Sequence, residues 1–358
     1  MNQILQKINK RNKKLMFLVL GVLLVVAMSS YNLSPSSTKK KPIDYIAYMR
    51  TINKAESYIL KEQYDSALVM YKRAFKNIDK PLAGHSFTAM QTSAYLDKEK
   101  DFKNLTNQTF KCGLEIEDIT SDSLLSDYIR THKLNDFLHS SYKKNNPVYK
   151  NRINISLKDS IIKLAQWDSK WKRYYTDSLS KVHPEKEELY KYQYDTIVSE
   201  IVEDYLIPII EKYGYPGERM IGHGRTGITG RSSYRSITVR NLLMHYYGIP
   251  KTQKQCRYNS LFLNEVYKGN MSPRDYATII DFQIRKRADT ICSNLKLFNE
   301  HHIVTDTTKY KEYNIRRETI GLEPMEEKIA KYKRGQEICR KIRKEKKYKH
   351  VKLFYWCG

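Results

Sequence analysis

Cysteine is scarce in this chain, with five residues in 358, and no two of them form a CxxC pair. Such few and scattered cysteines exclude the disulfide framework that holds many small secreted domains together. One pair among the last four could close in an oxidising compartment, but the sequence does not choose it. We expect isolated buried or free thiols instead. The five residues are Cys112, Cys256, Cys292, Cys339 and Cys357.

A metal-binding motif is also missing. His223, His245, His301 and His302, together with Asp281, supply ligand types that zinc accepts. No two of these histidines stand four residues apart on a helix, and HExxH is absent. We therefore predict no metal site and no cofactor.

A glycine-rich segment over 222–232 contains the letters GxGxxG, but it lacks the setting of a nucleotide fold. A dinucleotide fingerprint follows a strand, whereas the pattern before Gly222 is helical. We interpret the segment as a surface loop. The alternative is an oxyanion or carboxylate site in which Arg225 and Arg231 hold the anion.

The apolar run over 15–28 has fourteen residues, fewer than the ~20 that span a hydrocarbon core as a helix. Five basic residues precede it, and Ala27 and Ser29 are small enough for signal-peptidase cleavage. We predict a signal peptide or single-pass signal anchor over 1–31 and a linker over 32–44. Because the basic flank stays in the cytoplasm, the bulk of the chain is expected in the periplasm, anchored to the inner membrane or released by cleavage.

The net charge of +25 is concentrated at the two ends of the chain. Residues 1–41 carry eight Lys or Arg and no acid, and residues 328–352 carry twelve against two Glu. An exported protein seldom meets nucleic acid, so we predict no nucleic-acid partner and favour anionic lipid or an acidic envelope polymer. The basic tail over 333–358 ends in aromatic residues. It could lie on a membrane or dock back onto the protein.

Small and aromatic residues recur at helical spacing after the linker. The packing positions are Ala55, Tyr58, Tyr64, Ala67, Tyr71 and Ala74. A weaker copy 38 residues later reads Ser93, Leu96, Phe102, Leu105, Thr109 and Cys112. This pattern resembles a tetratricopeptide repeat (TPR), and we assign a short TPR-like array to 45–145, completed by a helix over 124–132. The alternative is an unrelated pair of helical hairpins.

A second helical region is predicted over 153–332. Asn145, Asn146 and Pro147 are expected to break the helix before it. Within it, one long helix is expected to end at Gly214, and another to begin at Ser272.

Several motifs in this region resemble an uncharacterised bacterial family of domains of unknown function. They comprise Tyr213, Gly214, Tyr215, Pro216, Gly222, His245, Gly269, Ser272, Ala277, Asp281, Asn314, Arg316, Arg317, Ile320, Gly321, Leu322 and Pro324. A D-Q-x-x-R pattern of the family survives only as Asp168, Ser169 and Lys172. The resemblance implies a helical domain and no known activity.

Two sets of side chains in this region could carry chemistry. His245 and Asp281 could form a base and its orienting acid, although no serine or cysteine stands in a nucleophile elbow. Arg316 and Arg317 could bind an anion or fix the fold through ion pairs, and we favour the fold.

We therefore predict a mostly α-helical protein with at most a small β-hairpin. Its expected role is that of an exported or membrane-anchored envelope scaffold, which binds a protein or peptide through the TPR-like helices. The alternative is an envelope hydrolase that uses His245 and Asp281. A membrane is expected as a further partner, through the N-terminal segment and the basic tail.

Overall fold

The fold is mostly α-helical, as predicted. The computed structural model describes residues 44–224, 235–236, 239–249, 256–286, 292, 295–300, 306–345 and 351. The residues described form one compact unit. The first helices are α1 (Tyr45–Leu60), α2 (Tyr64–Lys76), α3 (Ala83–Tyr95), α4 (Glu99–Lys111), α5 (Ile116–Thr120), α6 (Ser123–Thr131) and α7 (Asn135–Arg152).

The remaining helices begin directly after α7. They are α8 (Ile155–Lys172), α9 (Ser180–Val182), α10 (Glu187–Glu200), α11 (Ile207–Tyr213), α12 (Glu218–Ile221), α13 (Val239–Gly248), α14 (Tyr258–Tyr267), α15 (Pro273–Arg285), α16 (Tyr310–Thr319) and α17 (Met325–Glu345). Two π-helical segments, Arg173–Leu179 and Ile201–Leu206, extend α8 and α10. Strands β1 (His223–Gly224) and β2 (Arg235–Ser236) pair antiparallel, which agrees with the small β-hairpin expected.

Helices α1 and α2 form an antiparallel hairpin, and α3 and α4 form a second one. The turn of each hairpin contains one residue with positive φ, which is Glu62 in the first hairpin and Asp97 in the second. In both turns the next backbone N–H returns to a carbonyl five residues earlier, at 2.9 Å, which is the Schellman arrangement. A third turn of this form, at Lys133, joins α6 to α7.

These turns correct the register of the second hairpin. Asp97 lies 35 residues after Glu62, so the expected 38-residue offset is wrong. At the true offset, Tyr58 corresponds to Ser93 and Ala67 to Phe102. The small residue Ala67 therefore lies on α2, the second helix of the first hairpin, whereas the small residue Ser93 lies on α3, the first helix of the second hairpin. Matching residues by size consequently aligned positions that are not equivalent.

The packing residues predicted for the first hairpin lie in or against the core. Ala55, Ala67, Tyr71 and Ala74 are fully buried. Tyr58 and Tyr64 are partly buried and pack against the same core. Close approach of α1 and α2 is therefore built on alanine, as the sequence indicated.

The helix break expected at 145–147 is wrong, because α7 continues to Arg152 with Pro147 inside it. The buried Asn145 side chain donates to Asn107 Oδ1 and to the Ser141 carbonyl, both at 2.8 Å, and this holds the helix against α4. Pro147 and Lys143 are exposed, so water can bond to the carbonyl that the proline leaves without a donor.

Most of the buried apolar side chains belong to two cores. The first involves side chains of α1–α7, and the second involves side chains from α8 to the segment after α16. Arg219 bridges the two regions. Its guanidinium donates to Asp79 Oδ1 at 2.9 Å and to the carbonyls of Lys80 and Gly269 at 3.2 and 3.3 Å. It also lies over the Tyr45 ring.

The Tyr-Gly-Tyr-Pro segment after α11 has a structural role. Gly214 ends the helix with a φ of +88°, as predicted. The Tyr215 N–H donates to Glu265 Oε2 at 2.8 Å, which ties this turn to α14. A Cβ at Gly217 would lie 2.0 Å from the Asn270 carbonyl oxygen, so only glycine fits there.

The described part of the basic tail docks onto the protein. Helix α17 packs on α1, where buried Lys331 pairs with Glu56, and Arg334 lies 3.6 Å from Glu62. Val351 is buried in the first core. The docking alternative therefore applies to this part, and the aromatic residues 354–356 lie outside the described residues.

Cys256 and Cys292 form a disulfide with a Cα–Cα distance of 5.6 Å, so the expectation of isolated thiols is wrong for this pair. Cys112 is a free, buried thiol. Of the helices described, none has the length and apolarity needed to cross a membrane. The predicted signal segment, 1–31, lies outside the described residues.

Candidate functional site

A cluster of four polar side chains forms where α8, α10 and α13 meet. We call it the Asp168 centre; it comprises Asp168, Lys172, Tyr194 and His245. His245 Nδ1 lies 2.9 Å from Asp168 Oδ2, and the Tyr194 hydroxyl donates to Asp168 Oδ1 at 2.7 Å. Lys172 Nζ lies 3.4 Å from His245 Nε2. The Asp168 carboxylate thus orients the imidazole through Nδ1, and Lys172 lies beside Nε2.

Local helical geometry brings these residues together. Asp168 and Lys172 are four residues apart on α8 and therefore share one face. Helices α10 and α13 both pack on α8 and supply Tyr194 and His245. The 3.6-residue period of α8 ends directly after Lys172, where the π-helical segment begins, and such segments are frequent at functional sites.

The Asp168 centre combines a buried carboxylate with a partly exposed imidazole ring. The Asp168 side chain is 5% exposed, whereas that of His245 is 28% exposed. Burial, followed by the hydrogen bond to Asp168, holds the pKa of Tyr194 well above its usual range, so this hydroxyl remains a donor. If Nδ1 donates to the carboxylate, Nε2 is the ring atom left to accept a proton.

The expected pairing of His245 with Asp281 is corrected by this geometry. Asp281 is buried and accepts hydrogen bonds from the backbone N–H groups of Phe298 and Glu300. It therefore anchors the segment before α16, and Asp168 takes the orienting position beside His245. Sequence reasoning missed this because 77 residues separate Asp168 from His245, although the remnant of the D-Q-x-x-R pattern pointed to Asp168 and Lys172.

Two of the four arginines expected to hold an anion are engaged by the protein itself. Arg317 is fully buried, donates to Glu300 Oε2 at 2.9 Å and lies near Glu323. Arg316 donates to Glu312 Oε1 at 2.6 Å and to the Leu297 carbonyl at 2.8 Å. The fold-fixing alternative is therefore confirmed for this pair. Arg225 and Arg231 lie outside the described residues.

Arg317 belongs to a buried ion-pair network between α15, α16 and α17. Its other cations are Arg274 and Lys328, and its carboxylates are those of Glu300 and Glu323. Burial alone would raise the pKa of Glu300, but the three cations hold it below its ordinary value. The network stays ionised and joins the C-terminal helices into one block.

An open groove of about 750 Å³ separates α1 from α16. We call it the α1–α16 groove. Its size falls in the range of small-molecule and peptide sites. Residues of α1 form one wall, and those of α16 and the first turn of α17 form the other. The polar and charged lining residues are Arg50, Asn53, Lys54, Ser57, Thr307, Thr308, Lys311, Asn314, Glu318, Glu323, Glu326 and Glu327.

No group of three or more His, Cys, Asp or Glu side chains that could hold a metal ion occurs within the described ranges. In comparisons with known proteins, no family model, curated protein or solved structure matches this chain.

Proposed function

We propose that this chain is an exported binding protein of the cell envelope that holds a protein or peptide segment in the α1–α16 groove. The groove itself carries the proposal, because one wall is a helix of the first hairpin and the lining offers both charges and amides. The repeated Schellman turns support a TPR-like origin for that wall. The likeness to a bacterial family of unknown function remains a part of this proposal.

The disulfide supports the proposed location. Disulfides such as Cys256–Cys292 persist in oxidising compartments, of which the bacterial periplasm is one. Together with the basic and apolar N-terminal segment, it favours export. We propose a protein anchored in the inner membrane, or released from it, with its bulk in the periplasm.

A capture experiment from solubilised envelope tests this role. The full chain serves as bait beside Lys54→Glu in the groove and Lys61→Glu, an exposed lysine just past the same helix, as the matched control. We expect a defined protein that the first variant loses and the second retains. Capture that is equal for all baits, or no capture by any, would contradict the proposal.

The second candidate is an envelope hydrolase centred on His245, and the Asp168 centre is the observation that favours it. An imidazole that a carboxylate orients through Nδ1 can act as a general base through Nε2, the nitrogen beside Lys172. No serine or cysteine hydrogen-bonds to His245 in the described part of the chain, so water is the nucleophile that fits. A His245→Gln bait that captures the same partner as the unchanged chain would separate this candidate from the binding role.

A further inference from the structure

The α1–α16 groove has a polar floor with an unused acceptor. Glu323 is 1% exposed and lines the groove. Its Oε1 accepts from Arg274 at 2.6 Å, but its Oε2 has no hydrogen-bond partner within the described residues. A buried acceptor left without a donor costs about 1–3 kcal/mol, so a bound donor at this position would remove a penalty.

Two neighbours complete this floor. The partly buried Glu327 has its Oε1 2.9 Å from Lys331 Nζ. Buried Asn53 uses its amide nitrogen on the Gly321 carbonyl at 2.9 Å, which leaves the amide oxygen as an acceptor. We call Asn53, Glu323 and Glu327 the acceptor floor. All three side chains line the groove and carry oxygen atoms that can accept hydrogen bonds.

The exposed edge of the groove carries positive charges, in contrast to the acceptor floor. Arg50, Lys54 and Lys311 are exposed there, and we call them the basic rim. In all, four carboxylates and three cations line the groove. Arg274 and Lys331 already pair with Glu323 and Glu327 from outside the groove, so what the floor lacks is hydrogen-bond donors. A ligand that suits the groove brings donors to the floor and acceptors to the rim.

Ionisation of the floor agrees with a cationic ligand. Burial alone would raise the pKa of Glu323, yet Arg274, Lys331 and Arg317 hold it below its ordinary value, so it is a carboxylate at neutral pH. Burial raises the pKa of Glu327, which a nearby cation would oppose. An ammonium has three donors and no acceptor, which suits a floor of oxygen atoms.

We propose that the α1–α16 groove binds the free amino terminus of a peptide, with the α-ammonium on the acceptor floor and the following carbonyl groups between the cations of the basic rim. This inference rests on the proposed function and names the chemical feature that the groove selects. A metal ion is not the favoured occupant, since the described residues contain no group of metal ligands.

Calorimetric titration of the full chain with trialanine and with N-acetyl-trialanine tests the proposal, at neutral pH and low salt. We expect acetylation to weaken binding at least tenfold, because it removes the charge and two donors. Glu327→Gln should weaken trialanine binding by a similar factor. The matched control is Glu312→Gln on α16, whose exposed carboxylate pairs with Arg316 outside the groove and should leave affinity unchanged.

The outcomes separate this inference from the proposed function. Equal binding of both peptides would overturn the ammonium site and leave the groove as a peptide site. If neither peptide binds, both the ammonium site and the proposed peptide-binding function are contradicted. Should Glu327→Gln fail to fold, the comparison of the two peptides on the unchanged protein still decides the question.

Discussion

Glu218 links the two regions of the protein, and its ionisation should control stability. It begins α12, and its Oε1 accepts the backbone N–H of Ala83, the first residue of α3, at 2.6 Å. No side chain of the N-cap residue, Leu82, serves that helix end. A cavity of about 20 Å³ beside Glu218 has room for one water molecule at most. Burial therefore raises the pKa of Glu218 to about 7, although the bond from Ala83 opposes the rise.

The direction of the pH effect follows from this shift. The ordinary pKa of 4.5 applies to the unfolded chain, and the folded protein binds the proton more tightly. The stability that Glu218 contributes is therefore complete below pH 4.5 and is lost as the pH rises through about 7. At 1.36 kcal/mol per pKa unit, the loss amounts to about 3 kcal/mol.

Glu218→Gln should remove this loss, because the amide oxygen can still accept from Ala83 and the amide carries no charge. We expect urea unfolding to show that the unchanged protein loses about 3 kcal/mol more than the variant between pH 4 and pH 8. Glu211→Gln, at an exposed position on α11, is the control and should follow the unchanged protein. Parallel pH profiles for the unchanged protein and Glu218→Gln would refute the reasoning.

Three further predictions concern buried interactions. Tyr194→Phe removes a donor to a buried carboxylate and should lower the free energy of unfolding in urea by about 2 kcal/mol; an unchanged midpoint would argue against the Asp168 centre. Lys331→Met leaves two carboxylates without their cation, so we expect a loss of about 3–5 kcal/mol by thermal unfolding, and a smaller loss when Glu56→Leu is added. Cys256→Ser opens a disulfide with a sequence separation of 36 residues and should cost about 3–4 kcal/mol, measured by urea unfolding of both proteins without reductant.

Local signals in the sequence identified helix ends well. Gly214 ends α11 because a left-handed cap suits glycine, and Pro273 occupies the first position of α15 directly after Ser272. Both features depend on a few adjacent residues, so the chain alone reveals them. Alanine at 55 and 67 likewise predicted the close contact of α1 with α2, because only small residues permit it.

Features that depend on contacts between distant parts of the chain could not be predicted from the sequence. Pro147 was expected to end a helix, but the packing of Asn145 against Asn107 keeps the helix intact. His245 meets Asp168 only because α13 and α8 pack together, and no local pattern states that they do. The α1–α16 groove likewise joins residues more than 250 positions apart.

Cations in and just before the basic tail differ in burial, and burial decides which of them can attract an anionic membrane. The basic tail and the residues just before it carry twelve Lys or Arg over 328–352, which is typical of a membrane-binding arm only if each of these side chains faces solvent. Lys328 and Lys331 are instead buried in ion pairs with Glu300 and Glu56, so their charges are neutralised inside the protein. Removal of the chain from residue 328 would take away the cation that pairs with Glu56 and one of the three cations around Glu300, so a loss of membrane binding by such a truncated chain could reflect unfolding. The expectation that the tail binds a membrane therefore rests on its exposed cations, such as Lys341 and Lys344, and charge reversal there is the change that tests it with the fold intact.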